Sequence, residues 1–251
     1  MPAPSGPLTF ARYAFPPNSH GYCGPGDSGA YFEYGVTGDA SGLRAMSRRF
    51  EGAWPYLELI AQANHLGDPL DDRVVRAYWV GNRLLERVSM NQIGRNIEDR
   101  FRAQVGSAFP RLADSVLAGA VPHHSFAVFC VYPWTGLLGD GSVSDHALHV
   151  LDRCRIRSGT VVALQPDEAI VRSRPLTWDG RSLSLGPAVL ETARRSIEGD
   201  GITEPLMVGD RVTLHWEWVC DKISAPEEAV LHAYTRRHLA IVNAGRPIAV
   251  L

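Results

Sequence analysis

The chain has 251 residues, of which 25 are lysine or arginine and 27 are aspartate or glutamate, giving a formal net charge of −2. With 45% hydrophobic and 21% charged residues, the composition is that of a globular protein, and the length allows one large domain or two ordinary ones. A protein that neutralises phosphate backbones needs a clear basic excess. We therefore expect no nucleic-acid partner.

The four cysteines, Cys23, Cys130, Cys154 and Cys220, are scattered without any C-x-x-C pair, so the sequence contains no zinc-ribbon or dithiol motif. The amino terminus has no apolar run behind a basic start, as a secretory signal would. No segment reaches the roughly 20 apolar residues that span a bilayer. We expect a cytoplasmic protein with reduced thiols and no contact with a membrane.

The first half is predicted to be mainly helical, after a Gly- and Pro-rich opening loop that extends to about residue 37. Apolar spacing predicts one helix over residues 43–61, bent near Pro55, and a second over 71–88 that begins at Asp71 and Asp72. Further helices are predicted over 93–105, around 112–117 and over 143–151, the last capped by Ser144. Residues 122–139 are aromatic and β-branched, which is typical of strands.

The pattern changes at Cys154, where short β-like runs begin to alternate with Asp-Gly, Gly-Asp and Pro-Asp pairs. These runs predict a small barrel, with a helical insertion over 187–200 and a helix from 226 to about 242 at the end. The predicted class is therefore α+β, with a helical domain over 1–149 and a barrel domain with a C-terminal helix over 150–251.

Two motifs frame this second half. The first has the form C-x-x-x-x-G-x-V and begins at Cys154; the second has the form V-G-D-x-V-x-x-H and ends at His215. An apolar run to Lys222 and an acidic helix start at Glu227 and Glu228 follow the second motif. In this order the motifs make residues 150–235 resemble the HypC/HupF family of [NiFe]-hydrogenase assembly chaperones.

The resemblance implies an OB-like, HypC-like barrel that handles iron carrying cyanide and carbonyl ligands, the Fe(CN)2CO fragment. It implies that Cys154 supplies the iron-binding thiolate and that His215 is the second functional position. The implied role is an accessory, non-enzymatic one in hydrogenase maturation. Its partner would be the hydrogenase large-subunit precursor or a maturation scaffold protein, and we expect Arg155, Arg157, Trp216 and Trp218 to contact it.

The residues themselves allow two interpretations of this site. Arg153, Arg155 and Arg157 would lower the pKa of the Cys154 thiol and favour a metal-binding thiolate. Alternatively, Cys154 is a small buried hydrophobe. His215 is equally a metal ligand or a histidine of the barrel wall with one ring nitrogen bonded to the backbone.

Other histidines offer weaker metal ligands. His146 and His149 are three residues apart on a predicted helix, so their rings can face the same way and join Cys154 in a mixed nitrogen and sulfur site. The alternative is a polar helix face. His123 and His124 are adjacent, and on a strand they would point to opposite faces.

The opening segment 18–27 combines Cys23 and His20 with glycine and proline. Loops of this kind often display reactive groups, so Cys23 could be a nucleophile activated by His20 or by a distant histidine. The same loop could instead supply the metal-binding thiolate, or simply form an ordered turn. A cysteine-dependent enzyme and a metal-free interaction module are therefore the alternatives to the chaperone.

Overall fold

The structure is a computed structural model, and it describes residues 5–89, 91–94 and 118–245. Five helices come first: α1 (Gly6–Ser19), α2 (Ser28–Thr37), α3 (Ala40–Ser47), α4 (Trp54–Ala63) and α5 (Asp72–Trp79), followed by a 3₁₀ turn over Arg83–Arg87. A short helix over His124–Phe126 continues as a π-helical turn over Ala127–Val131 and a 3₁₀ turn over Pro133–Leu137. Helix α6 (Val143–Cys154) then leads into the strands, and α7 (Ala225–Ala244) follows them.

The predicted opening loop is wrong, because its residues form α1 and α2. Nearly every residue of α1 is buried, including Pro16 and Pro17 in its last turn, so tertiary packing overrides their low helix propensity. The helix starts in close contact with the chain before α5. A Cβ at Gly6 would lie only 1.8 Å from the carbonyl oxygen of Leu70, so only glycine fits there.

The other helix predictions hold in part. The single helix expected over 43–61 is two helices, α3 and α4, and Pro55 lies in the first turn of α4, where proline is well tolerated. Asp71 caps α5 as expected by accepting from the backbone N–H of Arg73, but α5 ends at Trp79, before Gly81 with its φ of 101°. Of the helix predicted over 93–105, residues 93 and 94 are helical and the rest lie outside the described residues, as does the helix predicted around 112–117.

Residues 122–139 are helical where their composition suggested strands. The π-helical turn over Ala127–Val131 is almost entirely buried, so β-branched and aromatic side chains fill the core from a helix instead of a sheet. The predicted cap of the next helix is also displaced: Ser142 precedes α6, and the hydroxyl of Ser144 accepts from the backbone N–H of Gly139.

Seven strands follow: β1 (Arg157–Leu164), β2 (Glu168–Ser173), β3 (Leu176–Trp178), β4 (Leu183–Leu185), β5 (Val189–Arg194), β6 (Arg211–His215) and β7 (Trp218–Lys222). Five of them pair in the order β1-β2-β5-β7-β6, and β6 pairs back with β1, so the sheet closes on itself. Strands β3 and β4 form a separate two-stranded sheet. The predicted α+β class, with a sheet followed by a C-terminal helix, is confirmed.

The helical insertion predicted over 187–200 is wrong. Its first part is β5, which pairs antiparallel with β2 along six residues and touches β7 in parallel at Arg194 and Trp218. The local sequence favours a helix, but without this strand the sheet could not close, and strand preference depends strongly on such tertiary context.

The helices and the barrel share one hydrophobic core. Helix α1 packs on β6 and β7, and side chains such as Phe10 and Phe15 belong to the same buried cluster as Trp218 and Leu231. A smaller second cluster, which includes Val161, fills the interior of the barrel. The change near residue 150 is thus a change of secondary structure across a continuous core. Among the described helices, none is long and apolar enough to cross a membrane.

A buried ionic network joins the two halves. Arg12 of α1 donates to Asp221 of β7 at 2.9 Å and to the carbonyl oxygen of Ile202 at 2.8 Å. Arg76 of α5 lies 3.1 Å from the other carboxylate oxygen of Asp221. Two guanidinium groups therefore contact one buried carboxylate, and removing either takes away one of the two ion pairs of Asp221 in a site that water does not reach.

We expect Arg12→Met, which keeps an apolar side chain of similar length, to lower the free energy of unfolding by about 3–5 kcal/mol, because Asp221 loses a partner while remaining buried. Urea unfolding followed by circular dichroism measures the change. The control is Arg73→Ala, which breaks an ion pair with Asp71 on a side chain that is 65% exposed and should cost less than about 1 kcal/mol. Equal losses in the two variants would contradict the prediction.

Candidate metal centre

A cavity of about 240 Å³ lies where the loop after α1, the segment before α6, the end of α6 and the end of β6 meet. Its polar lining includes two thiols and two imidazoles, from Cys23, His124, Cys154 and His215. Most of the remaining wall is aromatic, formed by Tyr22, Phe50, Tyr78, Trp79, Tyr132, Trp134 and Trp216. A largely apolar pocket with a few converging polar groups is the usual form of a binding site.

Three of these side chains converge as a metal site would require. One nitrogen each of His124 and His215 and the sulfur of Cys154 all lie within 4.8 Å of one another. Each residue ends or begins a different element: the short helix before the π-turn, β6 and α6. It is the single group of this kind within the described ranges. The fold thus brings together the two positions implied by the family resemblance and adds a third.

His215 has one available ring nitrogen inside the protein. Its Nδ1 lies 2.6 Å from the carbonyl oxygen of Tyr13, which can only accept, so Nδ1 carries the proton. Its Nε2 is buried and makes no hydrogen bond of ordinary geometry, although the backbone of Cys154 is close enough to raise the pKa of the ring. Burial lowers the pKa of His215 well below its ordinary value, which keeps the ring neutral. A neutral imidazole that donates to a carbonyl through one nitrogen and offers a lone pair at the other is the usual state of a metal-ligating histidine.

Both ring nitrogens of His124 make hydrogen bonds. Its Nε2 lies 2.8 Å from the carbonyl oxygen of Cys154 and therefore donates, while its Nδ1 accepts from the hydroxyl of Tyr78 at 3.2 Å. Burial lowers the pKa of His124 to about 4, so this ring is also neutral. For His124 to bind a metal, one of these two hydrogen bonds has to be given up, and the other would keep the ring in place.

Cys154 is a neutral thiol in this environment. Burial raises its pKa, and the nearby Cys23 adds to the effect, so the lowering expected from the arginines is not found. The physical reason is that the arginines are engaged elsewhere: Arg153 and Arg157 pair with Glu191, and Arg155 pairs with Asp152. Metal binding here has to displace the thiol proton.

The four residues expected to contact a partner are inside the molecule. Arg155, Arg157, Trp216 and Trp218 are between 1% and 6% exposed. Arg157 donates to the carbonyl oxygen of Trp216, and the Trp216 ring stacks on Tyr22 at 4.4 Å. In this structure they cannot form a docking surface, because the arginines belong to buried ion pairs and the tryptophans to the core.

The weaker histidine candidates lie outside the converging group. His146 and His149 are exposed on α6, where their rings contact Trp134 and Trp216 at 5.6 and 6.4 Å. His124, which the sequence analysis named with His123 but set aside, belongs to the converging group. Two adjacent histidines in an apolar segment were the available signal, but the segment was expected to be a strand.

Cys23 lines the cavity, but His20 does not activate it. Burial raises the pKa of Cys23 to about 12, which is opposite to the direction that an activated nucleophile needs. The His20 ring is bonded to the carboxylate of Glu217 at 2.9 Å, near the surface. Asn18 donates to the carbonyl oxygens of Cys23 and Pro25, so the loop is ordered by its own hydrogen bonds.

A buried chain of polar groups fixes the helix that carries His124. Ser125 Oγ lies 2.7 Å from His123 Nδ1 and 2.7 Å from His238 Nδ1, and the backbone N–H of Val121 donates to the other nitrogen of His238. Burial lowers the pKa of His238 to about 3. These hydrogen bonds connect the segment before α6 to α7 through neutral imidazole rings.

A sequence profile of a family of unknown function, DUF6390, matches residues 2–247, so the chain belongs to that family. No curated protein and no solved structure matches it. The match covers the helices, the barrel and the cavity between them.

The buried His238 predicts a specific pH dependence of stability. The pKa of His238 is lower in the folded protein than in the unfolded chain, so below about pH 6.5 the unfolded chain binds a proton that the folded protein does not. The free energy of unfolding therefore decreases as the pH falls below about 6.5. We expect a slope of about 1.4 kcal/mol per pH unit from this residue between about pH 6 and 4. In His238→Gln the total slope should fall by that amount.

Urea unfolding at several pH values measures both slopes, which can be compared even if the variant is less stable overall. The matched control is His146→Gln on the exposed face of α6, which should keep the wild-type slope. An unchanged slope in His238→Gln would show that this histidine is not buried in its neutral form.

Proposed function

We propose that this member of the DUF6390 family is a metal-handling accessory protein that binds its cargo at His124, Cys154 and His215. The observation that carries the proposal is the convergence of His124, Cys154 and His215, in which the buried Nε2 of His215 makes no hydrogen bond of ordinary geometry. A buried polar atom without a partner is uncommon and costs free energy, and a metal bond would compensate for it.

The donor set suits a soft or borderline metal ion. One thiolate and two imidazoles are ligands of zinc and of iron, and thiolates favour low-valent metals. In a tetrahedral site with ordinary bond lengths such donors lie about 3.5 Å apart, so donors within 4.8 Å of one another need only side-chain adjustments to close around an ion. His124 and His215 already have the backbone hydrogen bonds that orient ligating rings.

The finer proposal is that the cargo is the Fe(CN)2CO fragment and that the role is hydrogenase maturation. Three features support it: the HypC/HupF resemblance, the strand order and the size of the cavity. Numbering the five barrel strands along the chain gives the cyclic order 1-2-3-5-4, in keeping with a Greek-key barrel of the OB type. A cavity of about 240 Å³ exceeds the space of one bare ion, since a water molecule takes about 30 Å³.

Two rings of the cavity wall have unpartnered N–H groups, which a side-chain rotation could turn toward a cargo that carries its own ligands. The indole nitrogens of Trp79 and Trp216 are buried and donate to nothing. Cyanide bound to iron accepts hydrogen bonds at its nitrogen, whereas a bare cation offers no acceptor. The thiol of Cys23 is a second sulfur ligand within the same cavity. The proposed partner that delivers or receives this cargo is the hydrogenase large-subunit precursor or a maturation scaffold.

The metal site is tested by anaerobic titration of the purified chain with Co²⁺, whose absorption reports thiolate ligation. We expect binding to release about one proton per ion, because the Cys154 thiol is protonated beforehand. Cys154→Ser and His215→Ala should each weaken binding by at least about tenfold. The control is Cys130→Ala, a buried cysteine outside the cavity, which should bind normally. If Cys130→Ala loses affinity equally, the centre is misassigned.

The cargo is tested separately by infrared spectroscopy on protein purified anaerobically from cells that assemble a [NiFe]-hydrogenase. We expect cyanide and carbonyl bands in the wild type and none in Cys154→Ser. Trp216→Phe keeps the ring and removes the N–H, so the cyanide bands should shift more than the carbonyl band. Trp54→Phe is the control, because the Trp54 indole already donates to Glu58 at the surface. A wild type without these bands, from cells whose hydrogenase matures, would refute the cargo even if the metal titration succeeds.

A further inference from the structure

A second cleft, of about 580 Å³, lies between β1, β2, the β3–β4 sheet and α7. It shares no lining residue with the metal cavity. Four arginines line it, Arg155, Arg172, Arg174 and Arg236, and we call it the arginine cleft. Its volume is within the range of about 300–1,000 Å³ that is usual for small-molecule sites.

Most of the positive charge in the arginine cleft is not balanced by carboxylates. Arg174 donates to the carbonyl oxygens of Gly186 and Leu185, which fix the side chain without neutralising it. Arg172 and Arg236 are exposed and have no ion pair in the part of the chain that the structure describes. Arg155 alone is neutralised, by Asp152.

The cleft also holds one acidic residue, which is paired with an arginine outside the lining. Glu228 forms an ion pair of 3.1 Å with Arg211, so its charge is already balanced. His232, whose Nε2 lies 2.7 Å from the hydroxyl of Ser158, is half-buried in the wall. Its pKa is lowered by burial, raised by the charge of Glu228, and lowered further by the charges of Arg236, Arg155 and Arg174, so three guanidinium groups and one carboxylate act on this ring.

We propose that the arginine cleft binds a phosphate-bearing small molecule. The planar guanidinium group matches the oxygens of a phosphate through paired hydrogen bonds, and Arg172, Arg174 and Arg236 offer three such groups from two sides of the cleft. The apolar side chains of Leu185 and Leu239 supply a wall for the uncharged remainder of the ligand. This site is independent of the proposed metal function, because neither set of residues contributes to the other.

The test is isothermal titration calorimetry of the full chain with pyrophosphate and with ATP at low salt. Wild type should bind both, and the affinity should fall with added salt. Arg236→Ala should weaken binding by about tenfold, and Arg172→Ala combined with Arg236→Ala should abolish it. Arg237→Ala, one position along α7 and outside the cleft, removes the same charge and should leave binding unchanged.

Three outcomes would overturn the proposal. The first is a wild type that binds neither pyrophosphate nor ATP. The second is an equal loss of affinity in Arg237→Ala, which would indicate non-specific attraction to net charge. The third is tighter binding of a glutamate-rich peptide than of either phosphate compound, with the same dependence on Arg172 and Arg236, which would make the cleft a protein-docking site. Cys154→Ser should bind pyrophosphate normally. The test of the arginine cleft can therefore be interpreted even if the metal proposal fails.

Discussion

The burial of α1 against the barrel is the constraint on which the rest of the structure depends. Phe15 packs edge-on against Trp218 of β7 at 5.2 Å, and Arg12 neutralises Asp221 of the same strand. One residue further along α1, the carbonyl oxygen of Tyr13 accepts from His215 Nδ1. That single bond decides which His215 nitrogen carries the proton and leaves the other, which is buried, available as an acceptor or ligand. The helical half therefore sets the chemical state of a residue that belongs to the barrel.

Because the site depends on contacts between distant parts of the chain, only part of it could be predicted from the sequence. Cys154 and His215 could be found because each lies in a motif whose spacing is local. His124 could not, because its role follows from a π-helical turn and from contacts with Tyr78 and the Cys154 carbonyl, none of which has a spacing along the chain. The sign of the Cys154 pKa shift failed for a related reason: neighbouring arginines act on a thiol only if no carboxylate binds them first.

The fold was predictable where local preference and tertiary context agree. Helix α7 has a capping box at Ser224 and Glu227 and acids in its first turn, and it occurs where expected. Strand β5 and helix α1 show the opposite case. The residues of β5 favour a helix but complete the sheet, and the prolines of α1 disfavour a helix but lie in its buried last turn. For most residues the helix or strand propensity contributes about 1 kcal/mol or less, and the free energy gained from burial and strand pairing is larger.

For the proposed metal site, charge balance gives a reason to prefer a cargo that carries its own anionic ligands. A bare divalent ion bound to one thiolate and two neutral imidazoles leaves a net charge of about +1 in an apolar enclosure, which nothing in its lining of neutral rings and thiols balances. Ferrous iron with two cyanides is neutral, so the same thiolate makes the bound complex about −1. The rings of Trp79 and Trp216 line the cavity and their N–H groups have no partner, so a rotation that turned either group inward would place the positive end of a dipole beside the second charge and not the first. Under the proposed function the tryptophans, which contribute no metal ligand, would favour the iron fragment over a simple cation.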